Sequence, residues 1–307
     1  MLRSVIQTRW SLCATVVIVA TAIGTAQQTS ISLFGPGRIS GPDTYESFGS
    51  LSSDGTEFYY TSHKPDFSQH KIVVSRFANG NWSAPEVLGF SGTWNDREPR
   101  LSPNGLRLYF SSTRPADPSR PPGRLDLFTV ERDPATRQWS TPRRLEGSIN
   151  SDVHDFCPVV TANGTLYFVS ARSGGIRGPG PTDLYNVWRA RPIDSSGLRF
   201  REPENLGPAI NTGLETNVYV TPDERVMLVS RDGAPDSLGG DDLYVSTVVN
   251  GAWGPLRHLP APINTDKYEY GPSLSPDGRW FFFTSARGGT ADIYRASISI
   301  LQLDSRK

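Results

Sequence analysis

Ser275-Pro276-Asp277-Gly278 begins the stretch of sequence that decides the fold. It leads into the aromatic run Trp280-Phe281-Phe282-Phe283, then Ser285-Ala286-Arg287, then Asp292-Ile293-Tyr294. Pro, Asp and Gly in succession are typical of a tight turn, and aromatic residues are enriched in strands. The stretch therefore predicts a turn, a strand, a loop and a further strand.

The same order of features occurs five times along the chain. Close copies begin at Ser102-Pro103-Asn104-Gly105 and Thr161-Ala162-Asn163-Gly164, and looser copies at Ser53-Asp54-Gly55 and Thr221-Pro222-Asp223. The turn positions 54, 104, 163, 223 and 277 are spaced by 50, 59, 60 and 54 residues. A period of this length built from short strands indicates a radial β repeat. The sequence thus predicts an all-β, five-bladed β-propeller with four-stranded blades.

The second repeat shows how each blade is divided into strands. Its first strand is expected near Glu98 to Ser102, its second at Arg107 to Ser112 and its third at Asp126 to Glu131. The fourth is expected to begin near Trp139 and to reach Leu145. Many short strands and turns agree with 29 Gly and 25 Pro among 307 residues.

The two ends of the repeat region indicate how the ring closes. The fifth repeat has three strands ending near Ile298, and only Ser299 to Lys307 follow. The segment Leu33 to Ser40 has the character of the missing outer strand. We expect it to complete the last blade, because an open ring leaves a sheet edge unpaired. Residues 27–307 would then form a single domain; an open solenoid is the alternative.

The first 26 residues differ from the repeats. Arg3 and Arg9 give a positive start, Ser11 to Gly24 is apolar, and Gly24-Thr25-Ala26 places small residues at a cleavage position. The apolar stretch of 14 residues is shorter than the ~20 that a spanning helix needs. The pattern predicts a signal peptide over residues 1–26, a periplasmic or extracellular location and no membrane span after cleavage. An uncleaved anchor is the alternative.

Charge and cysteine content limit the possible partners. The chain has 31 basic and 31 acidic residues, and loss of Arg3 and Arg9 leaves 29 basic residues against 31 acidic ones. This balance argues against a nucleic acid or an anionic membrane as partner. Cys157 is the only cysteine after residue 26, so a disulfide within the mature chain is impossible. We expect Cys157 to be a buried packing residue.

The repeats resemble the TolB-type, WD-repeat-like β-propeller family. The shared features are Trp-x-x-Pro, Leu-Gly-x-x-Ile-Asn-Thr, acidic-x-x-Pro, Ser-Pro-Asp-Gly, Ser-x-Arg and Asp-Leu-Tyr, and they extend over residues 31–298. The resemblance implies a propeller and an exported protein of the bacterial envelope. It implies little about function, because propellers host binding, scaffolding and catalysis. The family's better-known periplasmic members have six blades, so five blades would be a departure.

A carboxylate precedes the tight turn of every repeat, at the start of the predicted innermost strand. We call this set the acid ring: Glu46, Asp96, Asp155, Glu215 and Glu269. Five carboxylates around one channel mouth would suit a hard cation such as Ca²⁺. Two of Asp96, Asp155, Glu215 and Glu269 would instead suit the acid and base of a glycosidase. The third interpretation is structural pairing with cations.

Counting residues outward from each tight turn predicts which residue faces each acid across the hairpin, and it places a cation near every acid. It places Asp96 opposite residue 113 and beside Arg114, and Asp155 opposite Arg172. In the same way Glu269 falls opposite Ala286 beside Arg287, Glu46 opposite His63 beside Lys64, and Glu215 near Arg231. Opposite charges facing across a strand pair are stabilising, and a carboxylate held by Arg is a poor general acid. A bulge at Pro99, Pro158 or Pro272 would shift this register.

The loops between the second and third strands differ most between repeats, and recognition is usually built on such loops. The longest are 115–125, 173–182 and 232–241. Strand direction places them on the same face as the acid ring. Basic residues gather there, and the candidates for ligand binding are Arg114, Arg172, Arg177, Arg231, Arg287 and His154, with Arg120 and Arg124 nearby. Guanidinium groups suit anionic sugars, carboxylates or a protein partner.

The sequence carries no recognisable motif for nucleophilic catalysis, phosphate binding or dinucleotide binding, and its four histidines have no metal-ligand spacing. We therefore expect a non-catalytic binding module, without cofactor or metal, for an envelope protein or glycan, and a monomer. The alternative is a carbohydrate-active enzyme, a glycoside hydrolase or lyase. An enzyme would need acids left unpaired in a deep pocket with raised pKa values.

Overall fold

The strands form a ring of five antiparallel sheets around a central channel. The computed structural model describes residues 30–42, 44–115, 123–180 and 184–303. Within these residues every sheet has four strand positions, and two of the sheets divide the outer position into two short strands. The predicted signal peptide, residues 1–26, lies outside the described residues.

Blades 1 and 2 show the common plan, in which the strands run in order from the channel outward. In blade 1 they are β2 (Tyr45–Leu51), β3 (Glu57–His63), β4 (Lys71–Ala78), β5 (Asn81–Trp82) and β6 (Glu86–Val87). In blade 2 they are β7 (Asp96–Leu101), β8 (Arg107–Ser112), β9 (Asp126–Glu131) and β10 (Arg143–Arg144). The second and third strands predicted for blade 2 are confirmed at both ends.

Blades 3 to 5 repeat this plan. Blade 3 consists of β11 (Asp155–Val160), β12 (Leu166–Ser170), β13 (Asn186–Ala190) and β14 (Glu204–Asn205). Blade 4 consists of β15 (Glu215–Val220), β16 (Val226–Asp232), β17 (Asp241–Val249), β18 (Ala252–Trp253) and β19 (Arg257–His258). Blade 5 consists of β20 (Glu269–Leu274), β21 (Trp280–Ser285), β22 (Asp292–Ser297) and β1 (Ser32–Leu33). Two short 3₁₀ helices span Gly147–Ile149 and Ile298–Leu301.

The beginning of the described chain closes the ring. β1 pairs with β22, with Ser32 opposite Arg295 and Leu33 opposite Tyr294. Phe34 then packs on Phe282 of blade 5, at 5.0 Å between ring centroids, and on Phe58 of blade 1, at 4.7 Å. The innermost strands of blades 5 and 1 are neighbours, as are those of every other consecutive pair. The predicted five-bladed, N-terminally closed propeller is confirmed, and the open solenoid is excluded.

The repeated turn motif fixes the hairpin at the inner edge of each blade. In blade 2 the Ser102 hydroxyl donates to Asn104 Oδ1 at 2.7 Å, and the same oxygen accepts from Leu106 N at 3.1 Å. Gly105 follows with φ of +70°, a left-handed conformation that glycine adopts at little cost. Only the looser fourth repeat replaces this glycine, with Glu224 at φ of +57°.

A β-bulge interrupts the innermost strand of each blade. The register shifts between Arg97 and Arg100 in blade 2 and at equivalent places in blades 1, 3 and 5. In blade 4 it shifts earlier, between Glu215 and Asn217. An extra residue on the inner strand moves the acids relative to the second strand. The register predicted by counting from the tight turns is therefore wrong in four blades. The acids face serines instead: Glu46 faces Ser62, Asp96 faces Ser112, Asp155 faces Ser170 and Glu269 faces Ser285. Glu215 does face Arg231.

The bulges also tie neighbouring blades together around the channel. Four bulge residues have a left-handed φ: Phe48 at +58°, Glu98 at +62°, Cys157 at +53° and Gly271 at +58°. Their N–H groups donate to the adjacent blade: Phe48 to Thr284 Oγ1, Glu98 to Thr61 Oγ1, Cys157 to Ser111 Oγ and Gly271 to Asn217 Oδ1. The Asn217 side chain in turn contacts Cys157 Sγ at 3.3 Å. Cys157 is buried, as predicted.

Candidate functional site

All five acids of the acid ring are buried, and four of them are paired with an arginine. Asp96, Asp155, Glu215 and Glu269 are each 0% exposed. Each has an arginine partner, with nearest N–O distances of 2.6 Å for Arg114–Asp96, 2.7 Å for Arg172–Asp155, 3.6 Å for Arg231–Glu215 and 3.5 Å for Arg287–Glu269. Burial with a close cation and hydrogen bonds is how proteins stabilise internal charge. The predicted cation pairing is thus present in these blades.

The repeated Ser-x-Arg motif builds the pairs of blades 2, 3 and 5, whereas in blade 4 Arg231 directly follows Ser230. In blade 2 Arg114 Nε donates to Ser112 Oγ at 3.0 Å, and the Ser112 hydroxyl donates to Asp96 at 2.6 Å. The Arg114 guanidinium also lies 5.3 Å from the centroid of the Phe110 ring. Blade 5 repeats the arrangement with Ser285 and Arg287. Serine, arginine and aromatic strand therefore form one structural unit.

Glu46 is the exception in the acid ring. It is 2% exposed, and its carboxylate accepts from Gly41 N at 3.3 Å. No cation lies within ion-pair distance of it in the described residues, so the expected proximity of Lys64 does not give a pair. Burial raises the pKa of Glu46 to about 7. The ring is therefore uneven at this one position.

The arginines predicted to bind a ligand are engaged with the protein itself. The Arg172 guanidinium bonds to the carbonyl oxygens of Ser148 and Ile149, and the Arg287 guanidinium bonds to those of Pro262 and Ile263. Arg231 Nη2 donates to Thr212 Oγ1 at 2.8 Å. These guanidinium groups anchor the links between blades.

The role of these arginines in ligand binding stays a prediction, as does that of Arg177, which is exposed. Arg120 lies outside the described residues.

A cavity of about 660 Å³ opens on the channel axis, on the face that carries the loops between second and third strands. We call it the mouth cavity; residues from all five blades line it. Seven of its side chains are aromatic: Tyr45, Phe48, Phe67, Phe156, Tyr185, Tyr268 and Tyr270. Phe67 and Tyr268 are 62% and 55% exposed at its rim. Ligand sites are commonly concave, mostly apolar and supplied with a few polar groups.

Arg97 is the cation of the mouth cavity. It lies on β7 next to the acid ring, and its side chain is 30% exposed. Its Nε lies 3.2 Å from Oε1 of Glu98, but the angle between them is unsuitable, so Nε forms no hydrogen bond within the described residues. Neither terminal nitrogen of Arg97 has an acceptor among the described residues. The Glu98 carboxylate also accepts from Cys157 N at 2.8 Å and from the Ser111 hydroxyl at 2.5 Å. Within the described part of the chain, Arg97 therefore presents unpaired donors to the cavity.

Three imidazoles share the wall with Arg97. His63 and His70 stack with ring centroids 4.6 Å apart, and burial lowers the pKa of both, that of His70 to about 3. Burial lowers the pKa of His154 as well. The Nδ1 atom of His154 accepts from Leu125 N at 3.0 Å, so the neutral ring carries its proton on Nε2. At neutral pH the three rings add hydrogen-bonding groups without adding charge.

Asp241 is a carboxyl of the mouth cavity with no cation at ion-pair distance among the described residues. It begins β17 opposite Asp232, and Thr216 Oγ1 lies 3.2 Å from its Oδ2. Burial, reinforced by the charge of Asp232, raises the pKa of Asp241 to about 7. The group is therefore a proton donor or an anion within the physiological pH range.

The sequence motifs do not identify the two charged groups that matter most here. Arg97 and Asp241 occupy positions that carry other residue types in the remaining repeats, so no repeated motif contains them. His154, a predicted ligand-binding residue, does line the mouth cavity. Arg97 had one usable signal: it is a cation on an innermost strand, where the equivalent residues are Ser47, Phe156, Thr216 and Tyr270.

The described residues contain neither a metal-binding cluster nor a membrane-spanning helix. Among them, no group of three or more His, Cys, Asp or Glu side chains is arranged to hold a metal ion. In the same part of the chain, no helix combines the length and apolar character needed to cross a membrane.

Comparison with known proteins identifies the fold. No family model matches the sequence, and no curated protein matches it. Among solved structures, TolB from Acinetobacter baumannii is similar with a TM-score of 0.50 and 15% identity, over 83% of this chain and 54% of that chain. A GH43 endo-arabinanase from Bacillus licheniformis is similar with a TM-score of 0.54 and 12% identity, over 84% and 96%. An endo-arabinase from Bacteroides thetaiotaomicron gives 0.53 and 13%, over 83% and 93%.

These likenesses establish a β-propeller fold and nothing finer. This chain spans about half the length of the Acinetobacter baumannii TolB, since 54% of that chain is covered. The similar structures include both a TolB protein and glycoside hydrolases, so they do not separate a binding module from an enzyme. The resemblance of the repeats to the TolB-type family stays a prediction. Function has to be argued from the site.

Proposed function

We propose that this chain is a non-catalytic, ligand-binding β-propeller of the bacterial envelope that holds an acidic glycan in the mouth cavity. Arg97 would bind the carboxylate of the sugar, and the aromatic rim would pack against its rings. The observation that carries the proposal is the Arg97 guanidinium, whose terminal nitrogens lack acceptors in the described residues while lying in an aromatic-lined cavity.

The energetic argument rests on the partly buried charge. A guanidinium on a cavity wall forms strong, directional hydrogen bonds to a carboxylate, because both its terminal N–H groups point the same way. The adjacent Glu98 meets Arg97 only through Oε1 at the Nε end of the guanidinium, while its Oε2 accepts from Cys157 N and from the Ser111 hydroxyl. Aromatic side chains with polar tips supply large contact area together with hydrogen bonds. Neutral imidazoles add donors and acceptors for hydroxyl groups.

The location belongs to the same proposal. Residues 1–26 have the pattern of a signal peptide, which would place the mature propeller in the periplasm or outside the cell. Acidic glycans or the glycans of envelope proteins would be accessible there. A monomer is sufficient, because all five blades of one chain line the cavity.

The test is calorimetric titration of the purified protein with glucuronate oligosaccharides and with the matching neutral glucose oligosaccharides. We expect the acidic ligand to bind and Arg97→Met to weaken it at least tenfold, which corresponds to about 1.4 kcal/mol. Arg143→Met is the matched control, since Arg143 lies on the outer strand of the same blade with a 57% exposed side chain. Equal binding of acidic and neutral ligands by the parent and by Arg97→Met would refute the proposal.

A second function has one observation in its favour. Asp241 is a cavity carboxyl with a pKa raised to about 7, which suits a general acid, and Glu98 is a second carboxyl on the same cavity. A glycoside hydrolase or lyase would therefore use these groups in place of the paired Asp96, Asp155, Glu215 and Glu269. Turnover of acidic oligosaccharides that is abolished by Asp241→Asn, with binding retained, would establish the enzyme and overturn the non-catalytic assignment.

A further inference from the structure

The channel contains a second arginine, which is buried and has no acidic partner among the residues that the structure describes. Arg100 lies on β7 and is 5% exposed. Among the described residues it takes part in no ion pair. Its Nη1 donates to Gly49 O at 2.5 Å and its Nη2 to Pro272 O at 2.7 Å, in the innermost strands of blades 1 and 5. The side chain therefore crosses the channel.

The hydrogen-bonding capacity of Arg100 is only partly used. A guanidinium has five N–H groups, and two of them serve these carbonyls. The other three have no acceptor among the described residues. The face of the group lies 5.5 Å from the centroid of the Tyr219 ring. Carbonyl dipoles and a ring face lessen the cost of burying the charge, but they do not neutralise it.

Arg100 breaks the local symmetry of the propeller. The acid ring defines equivalent positions in the innermost strands, and four residues beyond each acid the chain has Ser50, Arg100, Val159, Tyr219 and Ser273. Four blades thus place a neutral side chain at this level of the channel, and one places a cation. The pairing motif of the repeat does not require this cation, because Arg114 already serves the acid of blade 2.

Arg100 is also part of the wall of a second cavity, on the opposite face of the ring. This lower cavity of about 440 Å³ opens between the tight turns and is lined mainly by apolar residues, including Leu51, Leu101, Val160, Val220 and Leu274. The mouth cavity has Arg97 and Glu98 on its wall, and the lower cavity has Arg100. The acid at the lower rim, Asp277, is paired with Arg279 at 2.6 Å.

We propose that the lower cavity binds a small organic carboxylate with an apolar tail, whose carboxylate meets Arg100 at the channel and whose tail lies on the aliphatic wall. A carboxylate would supply the acceptors and the negative charge that Arg100 lacks. Burial of the tail against Leu and Val side chains would supply the remaining affinity. This site is separate from the proposed glycan site and does not depend on it.

The test uses hexanoate as the probe, with hexan-1-ol and acetate as matched controls, titrated into the purified protein and followed by calorimetry. We expect hexanoate to bind, hexan-1-ol to bind at least tenfold more weakly because it lacks the charge, and acetate to bind more weakly because it lacks the tail. Arg100→Met, which keeps the volume and removes the charge, should weaken hexanoate at least tenfold. Arg225→Met removes an 82% exposed cation on the same face whose partner, Asp223, does not line the lower cavity, and it should leave hexanoate binding unchanged.

A second variant covers the case in which Arg100→Met does not fold. Ser53 is exposed at the rim of the lower cavity, and Ser53→Trp would narrow the opening while leaving Arg100 in place. It should weaken hexanoate and leave glucuronate binding unchanged, whereas Arg97→Met should leave hexanoate unchanged. Hexanoate that does not bind at millimolar concentration, or binds equally to Ser53→Trp, would show that Arg100 only seals the channel and would overturn the proposal.

Discussion

The acid ring and the mouth cavity lie at the same end of the five innermost strands, yet they are built in opposite ways. In the acid ring, four blades repeat one arrangement of carboxylate and arginine. One residue further along the strand, the side chains differ completely: Ser47, Arg97, Phe156, Thr216 and Tyr270. The residues that repeat in the blades therefore stabilise the fold, whereas the residues that differ between blades line the candidate ligand site.

The difference has a physical basis. A fully buried carboxylate that stays ionised must be paired, so the four blades whose acid is 0% exposed also keep an arginine and a hydroxyl group beside it. A residue on the cavity wall contacts solvent and is free of that requirement. Arg97 can therefore keep its donors open, whereas Arg172 cannot.

The largest effect is expected from breaking a repeated pair. Arg172→Met would leave the Asp155 carboxylate buried without its cation. Loss of one partner of a buried pair costs about 3–5 kcal/mol of the free energy of unfolding. Urea denaturation of the parent and the variant measures this directly.

The matched control is Arg199→Met, because the Arg199 side chain is 56% exposed and pairs with the exposed Asp194. Exposed pairs contribute about 0–1 kcal/mol, so this variant should unfold close to the parent. An equally small loss for Arg172→Met would mean that the acid ring is not what stabilises the blades.

The fold was predictable because its determinants are local and repeated. Gly105, together with Ser102 and Asn104, specifies a hairpin from four consecutive residues, and the spacing of such hairpins specifies the number of blades. Closure was predictable because the fifth repeat lacks an outer strand that residues 32–33 supply. The register of the inner strand was not, because the bulge adds one residue at a place where the sequence shows only a nearby proline.

The candidate site was predictable only in part. The face of the molecule and His154 follow from loop length and strand direction. Arg97 and Asp241 do not, because their importance comes from the partners they lack in three dimensions. The sequence shows that residues 97 and 114 are both arginines. It does not show that Arg114 is paired with the buried Asp96 carboxylate while Arg97 lies on the cavity wall.

Glu46 gives the next largest effect and sharpens the comparison, because it belongs to the acid ring but lacks the arginine. Its pKa of about 7 in the folded protein lies above its unfolded value of 4.5. The protonated group therefore stabilises the fold fully below about pH 4.5, and this contribution is lost as the pH rises to about 7. Glu46→Gln keeps the neutral form at every pH.

We expect Glu46→Gln to unfold like the parent at pH 4.5 and to be more stable at pH 8, by on the order of 2–3 kcal/mol. Thermal unfolding at the two pH values measures the difference, with Glu202→Gln, an exposed glutamate, as the control. A variant less stable than the parent at pH 8 would show that the Glu46 carboxylate has a cationic partner after all.

The smallest effect concerns Asp241, the corresponding exception in the mouth cavity. Its pKa of about 7 means that it ionises between pH 6 and pH 8. Burial lowers the pKa of all three cavity imidazoles, that of His70 to about 3, so His70 stays neutral over this range. Ionisation of Asp241 therefore adds a negative charge to the cavity across this interval, and this anion opposes the binding of an acidic ligand.

We expect the Kd for glucuronate oligosaccharides to rise about three- to tenfold from pH 6 to pH 8 in the parent, since nearby like charges in a partly buried site repel at this scale. Asp241→Asn should bind equally at both pH values, and Asp266→Asn, which alters an exposed acid paired with Lys267, should behave like the parent. A pH dependence that persists in Asp241→Asn would assign it to another group and remove Asp241 from the site. If the Kd of Asp241→Asn does not change with pH and Arg97→Met loses binding, then Arg97 attracts the acidic ligand and Asp241 repels it. Neither residue is repeated in the other blades.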